Sequence, residues 1–298
     1  MEEADIEKIQ NYKLVDQKYY IKNKVLGKGN FATTYLATLK DDQSQIYACK
    51  MIAKDSIIEK LKSASNPEQR KEYIIQSLKN EVKLWKQLDH DNIVRFIEFS
   101  ETHNNIYFFL EYCDSGDLEK ELKNKSKLPE KDALEYFNQI SAGCAYLYNK
   151  GIYHRDLKPE NILLHNKKAK IADFGFSKVI EQEKKDQSVN QTSVGTPFYM
   201  APQILSGEQY SIKCDVWSLG IMFYQILYGY LPWIENTNIQ ELLKKIKNQK
   251  LSFAPSVKVS DELKDIISNM LQIDEANRIS MTEVNDRIAK LYEKTQQE

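Results

Sequence analysis

A change in hydrophobic periodicity near residue 116 is the feature that most constrains the fold of this 298-residue chain. From Tyr19 to Met51, β-branched and aromatic residues alternate with polar residues, and turns at 27–29 and 40–45 interrupt the alternation. A period of two is typical of strands that bury one face. After Gly116, apolar residues recur every three or four positions, which is typical of amphipathic helices. The sequence therefore predicts a sheet-rich part followed by a larger helical part.

The predicted fold class is α+β. We expect a small antiparallel sheet with one main helix at about 19–110, a hinge at about 111–117, and a mostly helical lobe at about 118–291. The main helix of the first part is expected within 54–88, where apolar residues have helical spacing. Two polar stretches, near 60–71 and at 181–193, have little apolar surface to bury and are expected to be loose.

Composition excludes several classes of protein. Lys plus Arg (42) nearly balances Asp plus Glu (43), so no overall field favours nucleic acid as a partner. No segment is long and apolar enough for a membrane helix, and the acidic N-terminus lacks the profile of a signal peptide. The four cysteines show no metal-ligand or CxxC spacing. We therefore expect a cytosolic or nuclear protein without a membrane segment.

Two features of the first part are suited to binding phosphate. Gly27 and Gly29 lie at a predicted strand-to-strand turn, and without a Cβ they let backbone N–H groups approach phosphate oxygens. A plain hairpin turn explains this glycine pair equally well when it is considered alone. Lys50 ends an apolar strand, where a lysine is costly to bury without a partner such as Glu81. The alternative is that Lys50 reaches solvent from an edge strand.

A polar run in the second part, IYHRDLKPENILL at 152–164, has the chemistry that phosphoryl transfer requires. Asp156 can accept a proton or hold a hydroxyl, and Lys158 adds a cation two residues later. Asn161 offers an amide oxygen suited to magnesium, and Asp173, after the next predicted strand, offers a carboxylate. Together with the glycine turn and Lys50, these residues indicate metal-assisted phosphoryl transfer.

The motifs HRDLKPEN, DFG, GTPFYMAPQ and DVWSLG, together with the glycine turn followed by YACK, resemble in this order the signature set of eukaryotic Ser/Thr protein kinases. The match runs from about Tyr20 to about Leu291. The resemblance implies that 1–298 is a single, bilobal protein kinase domain. It also implies that the domain uses ATP and Mg²⁺ and acts on a protein substrate with a Ser or Thr acceptor.

The resemblance also implies residue roles. Lys50 would contact the α- and β-phosphates of ATP and be positioned by Glu81. Asp156 would be the catalytic base, and Lys158 would stabilise the transferred phosphate. Asn161 and Asp173 would hold the metals, and Leu110 would be the gatekeeper. The implied nucleotide-binding residues are Val25, Leu26, Gly27, Gly29, Ala48, Lys50, Leu110, Glu111, Cys113, Asp117, Leu163 and Asp173, with hinge hydrogen bonds near Glu111 and Cys113 and the ribose at Asp117.

The segment from Asp173 to Gln203 resembles an activation segment. Thr192 aligns with the usual phosphorylation site, Ser193 is its near rival, and Arg155 would meet the phosphate, which an upstream kinase or self-activation would supply. The alternative is that Thr192 is merely solvated. Thr196 resembles the threonine that touches Lys158 and the substrate.

Further residues have implied structural roles. Trp85, Phe96, His154 and Phe174 occupy positions that stack through both lobes in this family, although ordinary core packing is the simpler interpretation of each. Asp215 opens an apolar helix and is costly unless it accepts backbone N–H bonds from the catalytic loop.

Three features depart from the family pattern. Gln203 replaces the expected glutamate, so its partner Arg278 would keep only a hydrogen bond. The interval from Lys50 to Glu81 is longer than usual by about a dozen residues, which a surface loop tolerates. Ala32 stands where a third glycine often occurs.

The subgroup and two alternative functions stay open at this level. GFSK, EYCDSGDL and Gln203 resemble autophagy-initiating kinases or calcium/calmodulin-dependent-like kinases, of which we prefer the first. No EF-hand loop is present in the sequence, and Phe176 resembles kinases that prefer serine. A pseudokinase scaffold that binds nucleotide or partners without turnover is the main alternative. A small-molecule phosphotransferase is disfavoured by the GTPFYMAPQ segment.

Overall fold

The computed structural model describes residues 9–29, 32–60, 66–173, 197–208, 211–233 and 238–297, apart from the side chains of Lys60 and Glu81. These residues divide into two compact units. The first holds the described residues up to Asp114, and the second holds those from Ser115 onwards. The division lies within the range predicted for the hinge.

The first unit contains a six-stranded sheet in the order β1-β2-β3-β4-β6-β5, in which every neighbouring pair is antiparallel. The strands are β1 (Asn11–Val15), β2 (Tyr19–Lys28), β3 (Thr33–Leu39), β4 (Ile46–Ala53), β5 (Phe96–Glu101) and β6 (Asn105–Glu111). The predicted meander corresponds to β2, β3 and β4 and is confirmed. Strand β1 was not predicted, and it adds an edge next to β2.

One face of this sheet carries an apolar core, because the alternating residues of each strand point to the same side. Its buried members are Val15, Tyr19, Ile21, Ala37, Cys49, Tyr107 and Phe109. Lys13 in β1 donates a hydrogen bond to the Tyr107 hydroxyl in β6 at 2.5 Å, although three strands lie between them. The sheet is therefore strongly curled.

Two helices follow β4, namely α1 (Lys54–Lys60) and α2 (Pro67–Trp85). Helix α2 is the predicted main helix, and it buries Ile74, Leu78 and Val82 on one side. The prediction of one main helix is confirmed, and the shorter α1 forms in addition, directly after β4. The prediction of a loose segment was wrong for 67–71, since Pro67 starts the first turn of α2, where its missing N–H costs nothing. Residues 61–65 lie outside the described residues.

The second unit is mostly helical, as predicted, and the α+β fold class is confirmed. Its helices are α3 (Leu118–Lys125), α4 (Glu130–Asn149), α5 (Pro202–Leu205), α6 (Lys213–Tyr228), α7 (Ile239–Asn248), α8 (Asp261–Met270) and α9 (Met281–Gln297). A two-stranded sheet, β7 (Ile162–His165) and β8 (Lys168–Ile171), interrupts them. None of the described helices has the length and apolar character that crossing a membrane requires.

Helix α6 is the centre of the second unit, and nearly all of its residues are buried. The rings of Phe137 in α4 and Phe223 in α6 stack with centroids 3.7 Å apart. Gly220 lets α6 approach the end of α8, because a Cβ there would lie 3.0 Å from Met270 and Leu271 atoms. Because α6 is packed against α4 and α8, it is a fixed support for the loop between α4 and β7.

Candidate active site

The loop between α4 and β7 is anchored by Asp215, in the first turn of α6. One carboxylate oxygen accepts the His154 N–H at 2.7 Å, and the other accepts the Arg155 N–H at 2.6 Å. The prediction that Asp215 accepts backbone N–H groups is confirmed. Arg155 has a φ of 62°, in the left-handed region that costs a non-glycine residue about 1 kcal/mol or more. Asp215 stabilises this conformation.

The Asp215 carboxyl is buried, and burial raises its pKa. The His154 ring and the N–H groups of His154 and Arg155 act in the opposite direction. Because a buried carboxylate without partners is costly, these two N–H groups make the ionised form tolerable. The loop and the α6 carboxylate therefore depend on one another.

Asp156, Lys158 and Asn161 come together as a single cluster. The Lys158 ammonium donates to both carboxylate oxygens of Asp156, at 3.0 and 2.8 Å. The Asn161 amide donates to the Asp156 carbonyl at 2.7 Å and to its carboxylate at 2.9 Å. The Asp156 side chain is 33% exposed. The cluster therefore presents a carboxylate that two donors orient and that a solvent-borne group can reach.

Ala172 links this cluster to the residue after β8. Its N–H donates to the Asn161 carbonyl at 2.9 Å, and its carbonyl lies 2.8 Å from His154 Nε2. Since a carbonyl can only accept, His154 Nε2 carries the proton, while Nδ1 faces the Asp156 N–H at 3.3 Å. His154 is thus a packed histidine with both nitrogens in use, as expected. Asp173 follows directly, exposed and with a φ of 62°.

The residues Asn161 and Asp173 fit a magnesium ion. Asn161 uses its NH₂ group as a donor, so its amide oxygen is the atom suited to a metal. Among the described ranges, no group of three or more His, Cys, Asp and Glu side chains could hold a metal ion. Magnesium does not need such a group, because it binds through one or two protein oxygens plus water and phosphate oxygens.

Asp117 and Leu163, both predicted to lie at the nucleotide, are cross-strand partners in an isolated antiparallel bridge. Backbone bonds of 3.0 Å from Ser115 to Leu164 and 2.8 Å from Leu164 to Gly116 hold the bridge. The Asp117 carboxylate also caps α3, accepting the Lys120 N–H at 2.8 Å. The sequence analysis missed this capping role, although an aspartate before a helical pattern is the ordinary signal for it.

Ala48, Lys50 and Leu110 share one face of the sheet in the first unit. Ala48 lies opposite Leu110, and Lys50 lies opposite Phe108. Trp85 of α2 contacts Phe108 with ring centroids 6.3 Å apart, so α2 packs on the Lys50 face. Trp85 also lies near Phe96, at 5.9 Å between centroids.

Thr34 is opposite Lys50 in β3 and was missed by the sequence analysis. Directly opposed residues lie on the same face, so Thr34 belongs to the Lys50 row. The alternation of inward and outward residues along β3, followed from the glycine turn, would have placed Thr34 on this face.

The glycine turn is only partly as expected. Gly27 lies within β2, opposite Thr34, and Gly29 donates its N–H to the Ala32 carbonyl at 2.8 Å. A Cβ at Gly27 would meet no atom within 4 Å, so packing does not require glycine there. Val25 pairs with Tyr35. Val25 therefore lies in a different row of directly opposed cross-strand residues from Ala48, and the strand register shifts after Val25. The part in nucleotide binding expected of Val25 and Leu26 stays a prediction.

The predicted hinge residues are partly engaged with the chain itself. The Glu111 N–H donates to the Arg95 carbonyl at 2.9 Å, and its carboxylate accepts the Arg95 N–H at 3.1 Å. Cys113 is half-buried. A nucleotide contact at Glu111 would therefore use its carbonyl group and not its N–H.

Arg278 is buried and bonds to Gln203 as predicted, with Nη2 donating to the amide oxygen at 3.1 Å. Its other donors reach the carbonyls of Gln272 at 3.0 Å and Lys213 at 2.9 Å. The Glu275 carboxylate lies 4.0 Å from Arg278, a longer ion pair that the sequence analysis missed. Burial lowers the pKa of Arg278. Several partial contacts thus replace the expected salt bridge.

Several predicted residues are not described. Thr192, Ser193, Thr196, Phe174 and Phe176 lie outside the described residues, as does the Glu81 side chain. The Arg155 guanidinium lies 5.9 Å from the centre of the Tyr153 ring.

Comparison with known proteins agrees with this geometry. The protein kinase domain family model matches residues 20–287. CBL-interacting protein kinase 11 of Oryza sativa subsp. japonica is 35% identical over 267 residues, which cover 89% of this chain and 50% of that protein. Calcium-dependent protein kinase 4 of Plasmodium berghei is 37% identical over 279 residues, covering 91% of this chain and 49% of that protein.

In a third relative, the matched segment covers a smaller share of the protein. The cell cycle serine/threonine-protein kinase CDC5/MSD2 of Saccharomyces cerevisiae is 34% identical over 274 residues, covering 91% of this chain and 36% of that protein. The chain spans about half the length of the first curated relatives it matches. Because the family model covers nearly all of the sequence and the Asp156 cluster has the expected members, the chain belongs to the protein kinase domain family.

Proposed function

We propose that this domain is an ATP- and magnesium-dependent serine/threonine protein kinase that transfers the γ-phosphate of ATP to a protein hydroxyl. The observation that carries the proposal is the Asp156 carboxylate, oriented by Lys158 and Asn161 and still partly exposed. Family membership and Ser/Thr kinase relatives at 34–37% identity support the same activity.

In this proposal, Asp156 binds the acceptor hydroxyl and takes its proton as the hydroxyl oxygen bonds to the γ-phosphorus of ATP. The bond from that phosphorus to the β-phosphate oxygen breaks in the same step, and ADP leaves. The contact with Asn161 limits rotation of the carboxylate, so the hydroxyl is held in line with the phosphate. Lys158 has three N–H donors, and its position beside Asp156 lets it stabilise the charge on the transferred phosphate.

Each unit, taken by itself, contains residues that the proposal assigns to nucleotide binding. Lys50 would contact the α- and β-phosphates and pair with Glu81. Gly27 and Gly29, which lack a Cβ, would let the backbone approach the phosphates closely, although the Gly29 N–H itself bonds to the Ala32 carbonyl. Val25, Leu26, Ala48 and Leu163 would contact adenine, and Leu110 would be the gatekeeper. Backbone groups near Glu111 and Cys113 would form hydrogen bonds with the nucleotide, and Asp117 would lie near the ribose. The common face of Ala48, Lys50 and Leu110 supports this assignment for the first unit.

Asn161 and Asp173 would hold the magnesium ions. When bound, the metal neutralises charge on the phosphate oxygens. The chain supplies the positioning, because Ala172 bonds to Asn161 and to His154 and so fixes the start of the turn at Asp173. Thermal shift with ATP and titrated magnesium would report this site independently of turnover. Asn161→Leu is expected to abolish the dependence of the shift on magnesium.

Regulation by phosphorylation at Thr192, with Ser193 as the rival site, is part of the proposal. A phosphate at either residue would carry close to two negative charges and could pair with Arg155. An upstream kinase or the domain itself would supply it. Phosphosite mapping before and after incubation with ATP would identify the site and the source.

For the subgroup, the relatives support the second of the two resemblances. Two of them are named calcium-dependent protein kinases, from Plasmodium berghei and Plasmodium falciparum. We therefore propose a calcium/calmodulin-dependent-like kinase domain in place of the autophagy-initiating type.

The test is phosphate transfer from labelled ATP to a serine-containing protein. The wild-type domain with magnesium is expected to transfer phosphate, and Asp156→Asn is expected to abolish transfer. Asp261→Asn, whose parent side chain is 99% exposed in the second unit, is the matched control and should retain activity. Tight binding of ATP by the wild type without transfer would contradict the proposal and support a pseudokinase scaffold.

A further inference from the structure

A carboxylate at the end of β5 joins α1, which directly follows the strand of Lys50, to α2, which carries Glu81. Glu101 Oε1 lies 2.7 Å from the Lys54 ammonium, and Oε2 lies 2.6 Å from the Lys79 ammonium. Each oxygen thus serves one lysine. Burial raises the pKa of Glu101, but the hydrogen bonds and charges of Lys54 and Lys79 outweigh it and lower the pKa overall.

This triad differs from the exposed ion pairs of the surface. The side chains of Lys54, Glu101 and Lys79 are 12%, 26% and 37% exposed. In the pair between Lys264 and Asp261, the carboxylate is 99% exposed. Exposed pairs contribute little, whereas a shared, partly buried carboxylate restrains both partners.

Both lysines lie close in sequence to Lys50 and Glu81, the two residues that the proposed function pairs. Lys54 is the first residue of α1 and follows Lys50 by four positions, directly after β4. Its backbone N–H also donates to the Asn104 carbonyl at 2.9 Å, in the turn between β5 and β6. Lys79 lies in α2, two positions before Glu81.

Apolar contacts also hold α2 on the sheet. Trp85 packs against Phe108, which lies opposite Lys50 in the β4–β6 register. Hydrophobic contacts are non-directional, so they hold α2 on this face without fixing how far it slides. A carboxylate bonded to a lysine at each oxygen does fix that distance.

The long connection between Lys50 and Glu81 makes such a restraint necessary. A longer connection gives α2 more freedom relative to β4. Lys54 lies near the start of this connection and Lys79 near its end, and both bond to Glu101. The added length is therefore tied down at both ends.

We propose that Glu101 is a positioning residue for the Lys50–Glu81 pair, acting through Lys54 and Lys79. This inference rests on the phosphotransfer function proposed above. It assigns the long connection a role within the domain, in that the start of α1 and the second half of α2 bond to a shared anchor.

The experiment compares Glu101→Gln with Glu98→Gln. Glu98 is the matched control, because it lies in the same strand and pairs with Lys18 and Tyr19, at 2.5 and 2.8 Å, outside α1 and α2. For Glu101→Gln we expect kcat to fall roughly tenfold, with the KM for the protein substrate unchanged within about twofold. Amide exchange at 78–85 should accelerate. Glu98→Gln should leave kcat unchanged, and amide exchange at 78–85 should stay as slow as in the wild type. Both should hold even if Glu98→Gln lowers the Tm as much as Glu101→Gln does.

The substitution Lys79→Gln provides a second test if Glu101→Gln folds poorly. Lys79→Gln alone should reproduce the loss of kcat and the faster exchange in α2. Adding it to Glu101→Gln should cause little further loss, because both remove the same link. Equal loss of kcat in the Glu98 and Glu101 variants, or unchanged exchange in α2, would overturn the proposal. Absence of phosphotransfer by the wild type would instead overturn the proposed function, and the exchange measurement would still decide the link.

Discussion

Asp215 holds Arg155 in a left-handed backbone conformation by accepting its N–H at 2.6 Å. The second oxygen accepts the His154 N–H at 2.7 Å. One buried side chain of α6 thus sets the path of the chain immediately before Asp156. The conformation of the candidate catalytic loop is therefore a property of the packed second unit and not of the loop alone.

Replacing Asp215 with asparagine tests this relationship. The NH₂ group would face one of the two backbone donors, leaving a buried N–H without a partner. We expect Asp215→Asn to lower the free energy of unfolding by about 2–4 kcal/mol and to reduce kcat. Chemical denaturation and the phosphotransfer assay measure the two effects. Asp261→Asn should change stability by less than about 0.5 kcal/mol, and an equal loss in both variants would argue against the anchoring role.

The contact between Gln203 and Arg278 yields a second prediction. Gln203 also donates its NH₂ group to the Ile273 carbonyl at 2.7 Å, which a glutamate could not do. We expect Gln203→Ala to cost about 1–3 kcal/mol, because it removes both bonds of the side chain. Gln203→Glu should change stability by less than about 1 kcal/mol, because the ion pair gained with Arg278 is offset by repulsion between the new carboxylate and the Ile273 carbonyl oxygen. A large stabilisation by glutamate in thermal unfolding would contradict this account.

Alanine substitutions at two glycines with similar φ angles distinguish the cost of backbone strain from the cost of a steric clash. Gly229 ends α6 at a φ of 79°, and a Cβ there would lie 2.8 Å from the Ser126 carbonyl oxygen. Gly207 has a φ of 72°, but a Cβ would meet no atom of the described residues within 4 Å. We expect Gly207→Ala to cost about 1 kcal/mol and Gly229→Ala at least about 1 kcal/mol more. Equal costs in denaturant titrations would show that α6 and the end of α3 separate easily.

A pH dependence follows from Glu98. Burial raises its pKa, but the hydrogen bonds of Lys18 and Tyr19 and nearby lysine charges outweigh burial and lower the pKa overall. Because the folded-state pKa lies below the unfolded value of about 4.3, the stabilisation is complete above that pH. It is lost as the pH falls through the folded-state pKa. The Tm difference between wild type and Glu98→Gln should therefore shrink below about pH 4, whereas a constant difference from pH 7 to pH 3 would contradict the assignment.

Patterns within single segments carried most of the correct predictions. The period-two alternation of β2–β4 and the helical spacing of α2 and α6 depend on which face each residue buries, and that is visible in the residue types. The Asp156 cluster also followed from sequence, because its members lie within six positions and one short turn brings them together. The bonds of Asp215 followed from the cost of burying a charge without partners, whereas the contact between Arg278 and Gln203 followed from the resemblance to the kinase family.

Most other contacts between distant segments could not be predicted from the sequence. The curl that brings Lys13 to Tyr107, the placement of Ala172 between His154 and Asn161, and the anchoring of two helices by Glu101 join residues from separate elements. A one-residue register change moves side chains to the other face, so the separate row of Val25 became visible only with the strand pairing. Local periodicity specifies which elements form, whereas packing of those elements against one another decides which side chains meet.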